Sequence, residues 1–512
     1  MQFTVADFAA IAPQVAVIVS ALLVLLLDAF FPRLGRAWLA NFTLIGLAIA
    51  ALAVWENWPT LDAQPALQGM VAPDRFSAFF NVVFLVGGAI SVLLSVQYAN
   101  EERIAQGEYY ALMLFCISGM MVLASSINLI TIFLGIEILS IALYVLAGYE
   151  RERRGPQEAA LKYFFLGAFA SAFLLYGIAL TYGATRSLDI GQIVAMLPTL
   201  PNPRANFLLL SGVAMMLVGF AFKIAAVPFH VWAPDVYEGA PTPITAFMSV
   251  GAKAAGFAAM ARVLIGAFQT PFPGYDQGLA WIISSVLASV AALTMLLGNV
   301  VAVVQPNIKR MLAYSSIAHA GYMLLGIVAT LRAPSSQGVA AVIFYALAYT
   351  FTNLGAFSVI LAFRRRGEEV LEIRDLAGLG NRYPALGMLM TLFMLSLAGF
   401  PLTAGFVAKF YIFMAFLHPD MSHLLWLAIL GVMTSVVSFF YYLGVVRSMF
   451  MDPAHEGDDQ PVARRDAYLD LALAVTAVGV IVLGILPAGV LDAATQAAST
   501  LGSFVDQAAA LR

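Results

Sequence analysis

Residues 219–243 read GFAFKIAAVPFHVWAPDVYEGAPTP. Lys223 stands inside an apolar run, and Pro228 interrupts that run just before His230. Proline removes a backbone donor and clashes with the preceding turn, so a helix carrying Lys223 must break there. Broken helices are tolerated at membrane depth only where protein or water satisfies the freed groups. His230 closes the break, where it either relays protons or caps freed carbonyls. Beyond it, Pro234, Gly239, Pro241 and Pro243 punctuate the chain, and Trp232 and Tyr237 suit an interface. The block is expected to be re-entrant or to lie on the surface. Asp235 and Glu238 are read as solvated caps, or as guides for cations.

A second stretch matches the first. Gly399-Phe400-Pro401 breaks another apolar run, and Gly405-Phe406-Val407-Ala408-Lys409 repeats the G-F-x-x-K of Gly219–Lys223. Transporters place such breaks at ion sites, in matching positions of two repeats. The runs carrying the two lysines are the seventh and the twelfth, an odd number apart, so the copies cross in opposite directions. Two inverted five-helix repeats are expected, spans 4–8 (residues 108–266) and spans 9–13 (residues 278–450).

The rest of the chain supplies the membrane. Of 512 residues, 62% are hydrophobic and 11% charged, against about 25% charged in soluble domains. A span needs about 20 apolar residues. About fourteen are read: 11–31, 37–55, 76–97, 109–126, 128–149, 159–183, 207–230, 244–266, 278–303, 309–330, 338–363, 385–416, 424–447 and 468–490. Ser125, Ser126 and Asn128 form the turn between the fourth and fifth. The fold class is an all-α polytopic membrane protein, one domain over residues 1–512, with helices 7 and 12 broken. Sixteen Lys and Arg residues fall in odd loops and five in even loops, so the odd loops are cytoplasmic and both termini face the other side. MQFTVADF lacks a basic leader, so the first run is read as a retained helix. Net charge of −3 gives no basic surface for nucleic acid, and the single Cys116 excludes an internal disulfide or a cysteine-held metal site. No nucleotide or cofactor motif appears.

Against this background, five groups stand out. Lys162, Lys223, Lys253, Lys409 and Glu137 fall inside apolar runs, whereas all twenty-one arginines are placed in loops or at run ends. A charge at the bilayer centre costs about 2.5–3.5 kcal/mol on insertion scales. Arginine stays charged, but a buried lysine can lose its proton. Titratable groups retained at that cost point to proton or ion movement. Lys223 is the candidate partner of Glu137, either as a fixed ion pair or as a switchable one. Lys162 lies a few residues into its span and either snorkels to the surface or takes part in the proton or ion movement. Lys253 sits deeper, among small residues. His319 lies mid-span with Ser315, Ser316 and Tyr322, as an interhelical hydrogen bond or as a link between the repeats. Lys309 with Arg310 is read as an interface anchor, and His418, His423 and His455 as loop or interface residues. The histidines are too dispersed for a metal site.

The Lys223–Thr242 motif, joined to Glu137 upstream and to Lys409 after a broken run, resembles the antiporter-like subunits of respiratory complex I over nearly the whole chain. AYSSIAHAGY (313–322) and VYEGAPTPITAFMSVGAKAAGF (236–257) look most like the subunit N branch of bacterial NADH:quinone oxidoreductases. The corresponding component of Mrp-type Na⁺/H⁺ antiporters is the nearest competitor. The resemblance implies a proton-translocating subunit of the bacterial inner membrane, with periplasmic termini. Glu137 and Lys223 become a coupling pair, Lys253 a central relay and Lys409 a terminal lysine. His319 becomes a bridge and Lys162 a tuner. It implies no cofactor in this chain, and FMN, iron–sulfur clusters and quinone in partner subunits. The partners are sister antiporter-like subunits, small membrane subunits and lipids, with no nucleic acid.

Overall fold

The structure, a computed structural model, describes residues 5–31, 36–58, 65–104, 106–200, 204, 206–269, 278–333, 335–454 and 460–501. Arg33, His455 and the side chain of Arg36 lie outside the described residues. Of the described residues, 82% are helical. Among the described residues, twelve helices are long and apolar enough to cross a membrane. The first six are α1 (Ala12–Phe30), α2 (Arg36–Asn57), α3 (Arg75–Glu101), α4 (Gly107–Ser125), α5 (Leu129–Ala147) and α6 (Arg154–Thr185). After them comes a shorter apolar helix, α7 (Phe207–Lys223), then the eight-residue α8 (Trp232–Gly239). Next come α9 (Thr242–Phe268), α10 (Gly278–Ala302), α11 (Ile308–Arg332) and α12 (Gln337–Leu361). The run over 385–416 is two short helices, α13 (Pro384–Ala398) and α14 (Ala404–Met414), followed by α15 (Leu425–Phe450), α16 (Ala467–Ile485) and α17 (Ala488–Thr500). Both expected breaks are therefore present, at Lys223 and at Gly399.

Side-chain oxygens set several helix starts by accepting first-turn N–H groups. Asp74, Asn128, Asn206, Asn307 and Asp466 do so for α3, α5, α7, α11 and α16. Burial then sorts the helices. The most apolar window of α9 is entirely buried, and those of α11 and α12 are 94% buried, so these three form the centre. Helices α1, α6, α15 and α16 keep outer faces of large apolar residues, among them Leu22, Phe165, Phe440 and Val478. Such faces suit lipid, the solvent of a membrane protein. Small residues bring helices close: a Cβ on Gly298 would lie 2.6 Å from the Ala318 amide nitrogen, where α10 meets α11.

Three local readings are corrected, and the helical fold carries one small addition: a three-stranded antiparallel sheet, in the order β2 (Glu368–Glu369), β1 (Phe363–Arg365), β3 (Val462–Ala463). Arg366 and Gly367, both at positive φ, make the two-residue turn between β1 and β2, as a tight hairpin requires. The block after His230 does not simply lie on the surface: Trp232, Ala233, Val236 and Tyr237 of α8 are buried, while Asp235 and Glu238 on its polar edge stay partly exposed. Arg262 is no loop residue; it is fully buried in α9, forked onto Asp74 at 2.5 and 2.9 Å. Lys309 is no interface anchor, being only 1% exposed. In each case a buried partner supplies what hydropathy could not reveal: a carboxylate for Arg262, a carbonyl for Lys309, a stacked ring for Trp232.

Candidate functional site

The break after α7 is satisfied by protein. Trp232 Nε1 donates to the freed Phe222 carbonyl at 3.0 Å, and the Val227 amide donates to Thr294 Oγ1 of α10 at 3.0 Å. Trp232 and Thr294 thus cap two of the freed backbone groups. Nδ1 of His230 is buried without a hydrogen-bond partner. Lys223, the last residue of α7, turns to α5, where its Nζ donates to Ser140 Oγ at 2.9 Å. It also lies 5.8 Å from the centroid of the Tyr163 ring, which stacks on Trp232 at 4.5 Å. Glu137 is one turn away on α5, with Oε1 buried and unpartnered. The expected Glu137–Lys223 ion pair is not formed in this conformation; the lysine rests on the neighbouring hydroxyl.

At the centre, Lys253 of α9 donates to both the carbonyl and the hydroxyl of Ser316 on α11. The Tyr349 ring lies 5.8 Å from its Nζ. One turn further along α11, His319 Nδ1 meets Tyr345 Oη at 2.6 Å and its Nε2 meets Tyr442 Oη at 3.1 Å. Tyr442 is also hydrogen-bonded to Ser315. Tyr322, one turn on again, lies under Lys409, whose Nζ is 5.0 Å from the ring centroid. Ser315, Ser316, His319 and Tyr322 share a stripe because residues three and four apart face the same way. That stripe joins Lys253 to Lys409.

Lys409 is held by the second break. Its Nζ donates to the Leu397 and Ala398 carbonyls at 2.9 and 2.8 Å and to Ser435 Oγ at 2.8 Å. These carbonyls end α13, where the helix dipole favours a cation. The two G-F-x-x-K copies therefore differ in detail. The lysine ends its helix in the first and bridges back across the break in the second.

Lys223, Lys253 and Lys409 are 4%, 3% and 4% exposed, and none of them makes an ion pair among the described residues. Hydroxyls, carbonyls and ring faces surround them instead. Such surroundings accept hydrogen bonds from an ammonium without fixing it by a counter-charge, so either protonation state can be held. Lys162 is not drawn to this line. It is 42% exposed and pairs with Glu158 and Asp235, each at 2.7 Å. Asp235 also takes Arg310 at 2.8 Å. Burial works to raise the Asp235 carboxyl, but hydrogen bonds from Lys162 and Arg310 outweigh it and hold the group below the ordinary carboxylate range.

The sequence missed Tyr345, Tyr442, Asn299 and Ser140. Asn299 links the hydroxyls of Tyr322 and Tyr441, each at 3.0 Å. Ser140 had a signal, standing three residues after Glu137 on the same helical face. The tyrosines had none. Among the described residues, no three His, Cys, Asp or Glu residues cluster to hold a metal ion.

Comparison with known proteins gives the family. The transmembrane family described as NADH:quinone oxidoreductase/Mrp antiporter matches residues 126–438. NADH-quinone oxidoreductase subunit N of Trichlorobacter lovleyi is 46% identical over 474 residues, covering 92% of each chain. A chain in the structure of respiratory complex I from Thermus thermophilus with bound aureothin is 34% identical, with a TM-score of 0.76 over 94% of this chain and 98% of that one. A chain of the Mrp complex from Dietzia shares the fold, with a TM-score of 0.80 over 98% of this chain and 99% of that one, at 21% identity. With the fold, the buried lysines and these likenesses together, the chain belongs to the subunit N family of NADH:quinone oxidoreductases.

Proposed function

We propose that the chain is a proton-translocating membrane subunit of an NADH:quinone oxidoreductase, driven by electron transfer in other subunits. The observation that carries this reading is the buried polar line from Lys253 through Ser316, His319 and Tyr322 to Lys409. It runs through the most buried helices, where structural stability alone would favour apolar packing. Glu137 and Lys223 act as the coupling pair at one end. When Lys223 reaches Glu137 the ammonium is favoured; when it returns to Ser140, desolvation favours release. Lys253 passes the proton along the stripe, His319 bridges, and Lys409 releases it on the far side. Lys162 biases the first pair from the polar mouth, and His230 is a side group of the first break.

The two halves, residues 108–266 and 278–450, act as inverted repeats, each built around one broken helix. NADH oxidation and quinone reduction belong to partner subunits, which hold FMN, iron–sulfur clusters and quinone. Sister antiporter-like subunits, small membrane subunits and lipids surround this chain in the bacterial inner membrane. Both termini face the periplasm, consistent with the basic odd loops. The Mrp antiporter reading is weaker: the matching family includes both, but the Mrp chain shares 21% identity where the subunit N relative shares 46%.

The test is Lys223→Met in the native host, with assembly checked. Inhibitor-sensitive NADH:quinone turnover and proton pumping are expected to fall together. Normal turnover and pumping would remove Lys223 from the mechanism.

A further inference from the structure

A charged cavity of about 540 Å³ opens on the face that the basic-residue count makes cytoplasmic. Its mouth carries Lys162, Asp235 and Glu158, and its inner wall carries Glu150, Glu369 and Lys309. The inner three are buried: their side chains are 5%, 8% and 2% exposed. Glu150 is hydrogen-bonded to Tyr98. Glu369, on the β1–β2 hairpin, lies 4.0 Å from Lys309 Nζ through one carboxylate oxygen, while Oε1, the other, is buried with no hydrogen-bond partner. Lys309 Nζ donates to the Ala240 carbonyl at 2.7 Å, at the junction of α8 with α9.

The hairpin is fixed in place. The Ile308 amide donates to the Leu371 carbonyl at 2.8 Å, and the Ile373 amide donates to the Pro306 carbonyl at 2.9 Å. Glu369 is thereby held at the start of α11. Lys309 and Ser316 stand seven residues apart on that helix, so they share a face, separated by about 10 Å of helical rise. Ser316 is the residue to which Lys253 donates, and Tyr237 Oη lies 3.4 Å from its hydroxyl. The face of α11 that starts in the charged cavity therefore ends at the central lysine.

We propose that Glu369 and Lys309 form a proton relay on the floor of this cavity that supplies the proton to Lys253, while the Glu137–Lys223 pair sets when Lys253 accepts it. This rests on the proton-translocating reading above. Glu369 takes a proton from the cavity and hands it to the neutral Lys309 amine. The resulting ammonium passes it on toward Tyr237 and Ser316. Each group returns to its starting state, so one proton moves and no bond between heavy atoms changes.

A purely structural ion pair predicts something different, and arginine separates the two. Lys309→Arg keeps the charge and the donors but cannot release a proton. Lys309→Met, Lys309→Arg, Glu369→Gln and, as a reference, Lys253→Met are made in the whole complex in native membranes. Assembly is scored by NADH oxidation with an artificial acceptor, and function by inhibitor-sensitive turnover and pumping. The relay predicts a loss of about tenfold or more for Met, Arg and Gln alike, as for removal of an acid–base group. Any smaller loss in assembled Lys309→Arg or Glu369→Gln overturns it. Should the Lys309 variants fail to assemble, Glu369→Gln decides on the same threshold. Normal pumping by Lys253→Met would instead overturn the translocating reading itself, whatever the other variants do.

Discussion

Lys223 Nζ lies 2.9 Å from Ser140 Oγ, one turn of α5 beyond Glu137. Three residues of helix rise are about 4.5 Å, within the reach of a four-carbon side chain. A small swing along α5 exchanges a hydroxyl for a carboxylate, and with it the stability of the ammonium. Glu137→Gln is therefore expected to lower turnover and pumping together, in an assembled complex. Ser140→Ala removes only the resting position and is expected to slow turnover less. Equal losses in the two variants, by the same assays, would rule out the swing.

His319 is held from two sides, by Tyr345 on α12 and Tyr442 on α15. Removing either hydroxyl leaves a buried ring nitrogen unpaired, at about 1–3 kcal/mol. Tyr345→Phe and Tyr442→Phe are each expected to slow pumping, and neither to add to the loss in His319→Ala. A double-mutant cycle on turnover checks this. Additive losses would place the tyrosines outside the His319 link.

Gly399 has φ of 89°, and a Cβ there would sit 2.9 Å from Lys409 Cδ. Gly399→Ala meets two costs, roughly 1–2 kcal/mol of left-handed backbone strain and displacement of the lysine from the Leu397 and Ala398 carbonyls. Pumping is expected to fall in parallel with thermal stability in detergent. Gly444→Ala has open space and serves as the control, with neither property changed.

Asp235 binds Lys162 and Arg310, and these hydrogen bonds outweigh burial to lower its folded pKa. A lowered carboxyl stabilises the fold fully above its unfolded pKa of about 3.9, and loses that contribution as pH falls through the folded value. Asp235→Asn is expected to lower thermal stability by a constant amount between pH 5 and 8, about 0.2–1 kcal/mol for a partly exposed pair. The gap to the unsubstituted chain closes below about pH 4. A gap that widens on acidification would contradict the assignment.

The Arg262–Asp74 fork is fully buried, and Asp74 also caps α3 through the Ser77 amide. Asp74→Ala is expected to cost about 3–5 kcal/mol, because it strands a buried charge. Replacing both residues with apolar ones of similar size is expected to cost less. Unfolding in detergent, followed by tryptophan fluorescence, measures both.

Hydropathy and charge placement alone made legible a helical membrane protein, its breaks at Pro228 and near Gly399, and the buried titratable lysines. They could do so because bilayer thickness, proline geometry and the cost of a buried charge act on local sequence. The family was legible as well, from the Lys223–Thr242 motif. Only the tertiary structure decided the pairings. Lys223 rests on Ser140 and not Glu137, Lys162 stays at the polar mouth, and Lys309 and Arg262 are interior. Tyr345 and Tyr442 join His319 although 26 and 123 residues away in sequence. Such contacts are made between helices. A hydropathy run says that a helix is buried in lipid or protein, but not which face meets which neighbour.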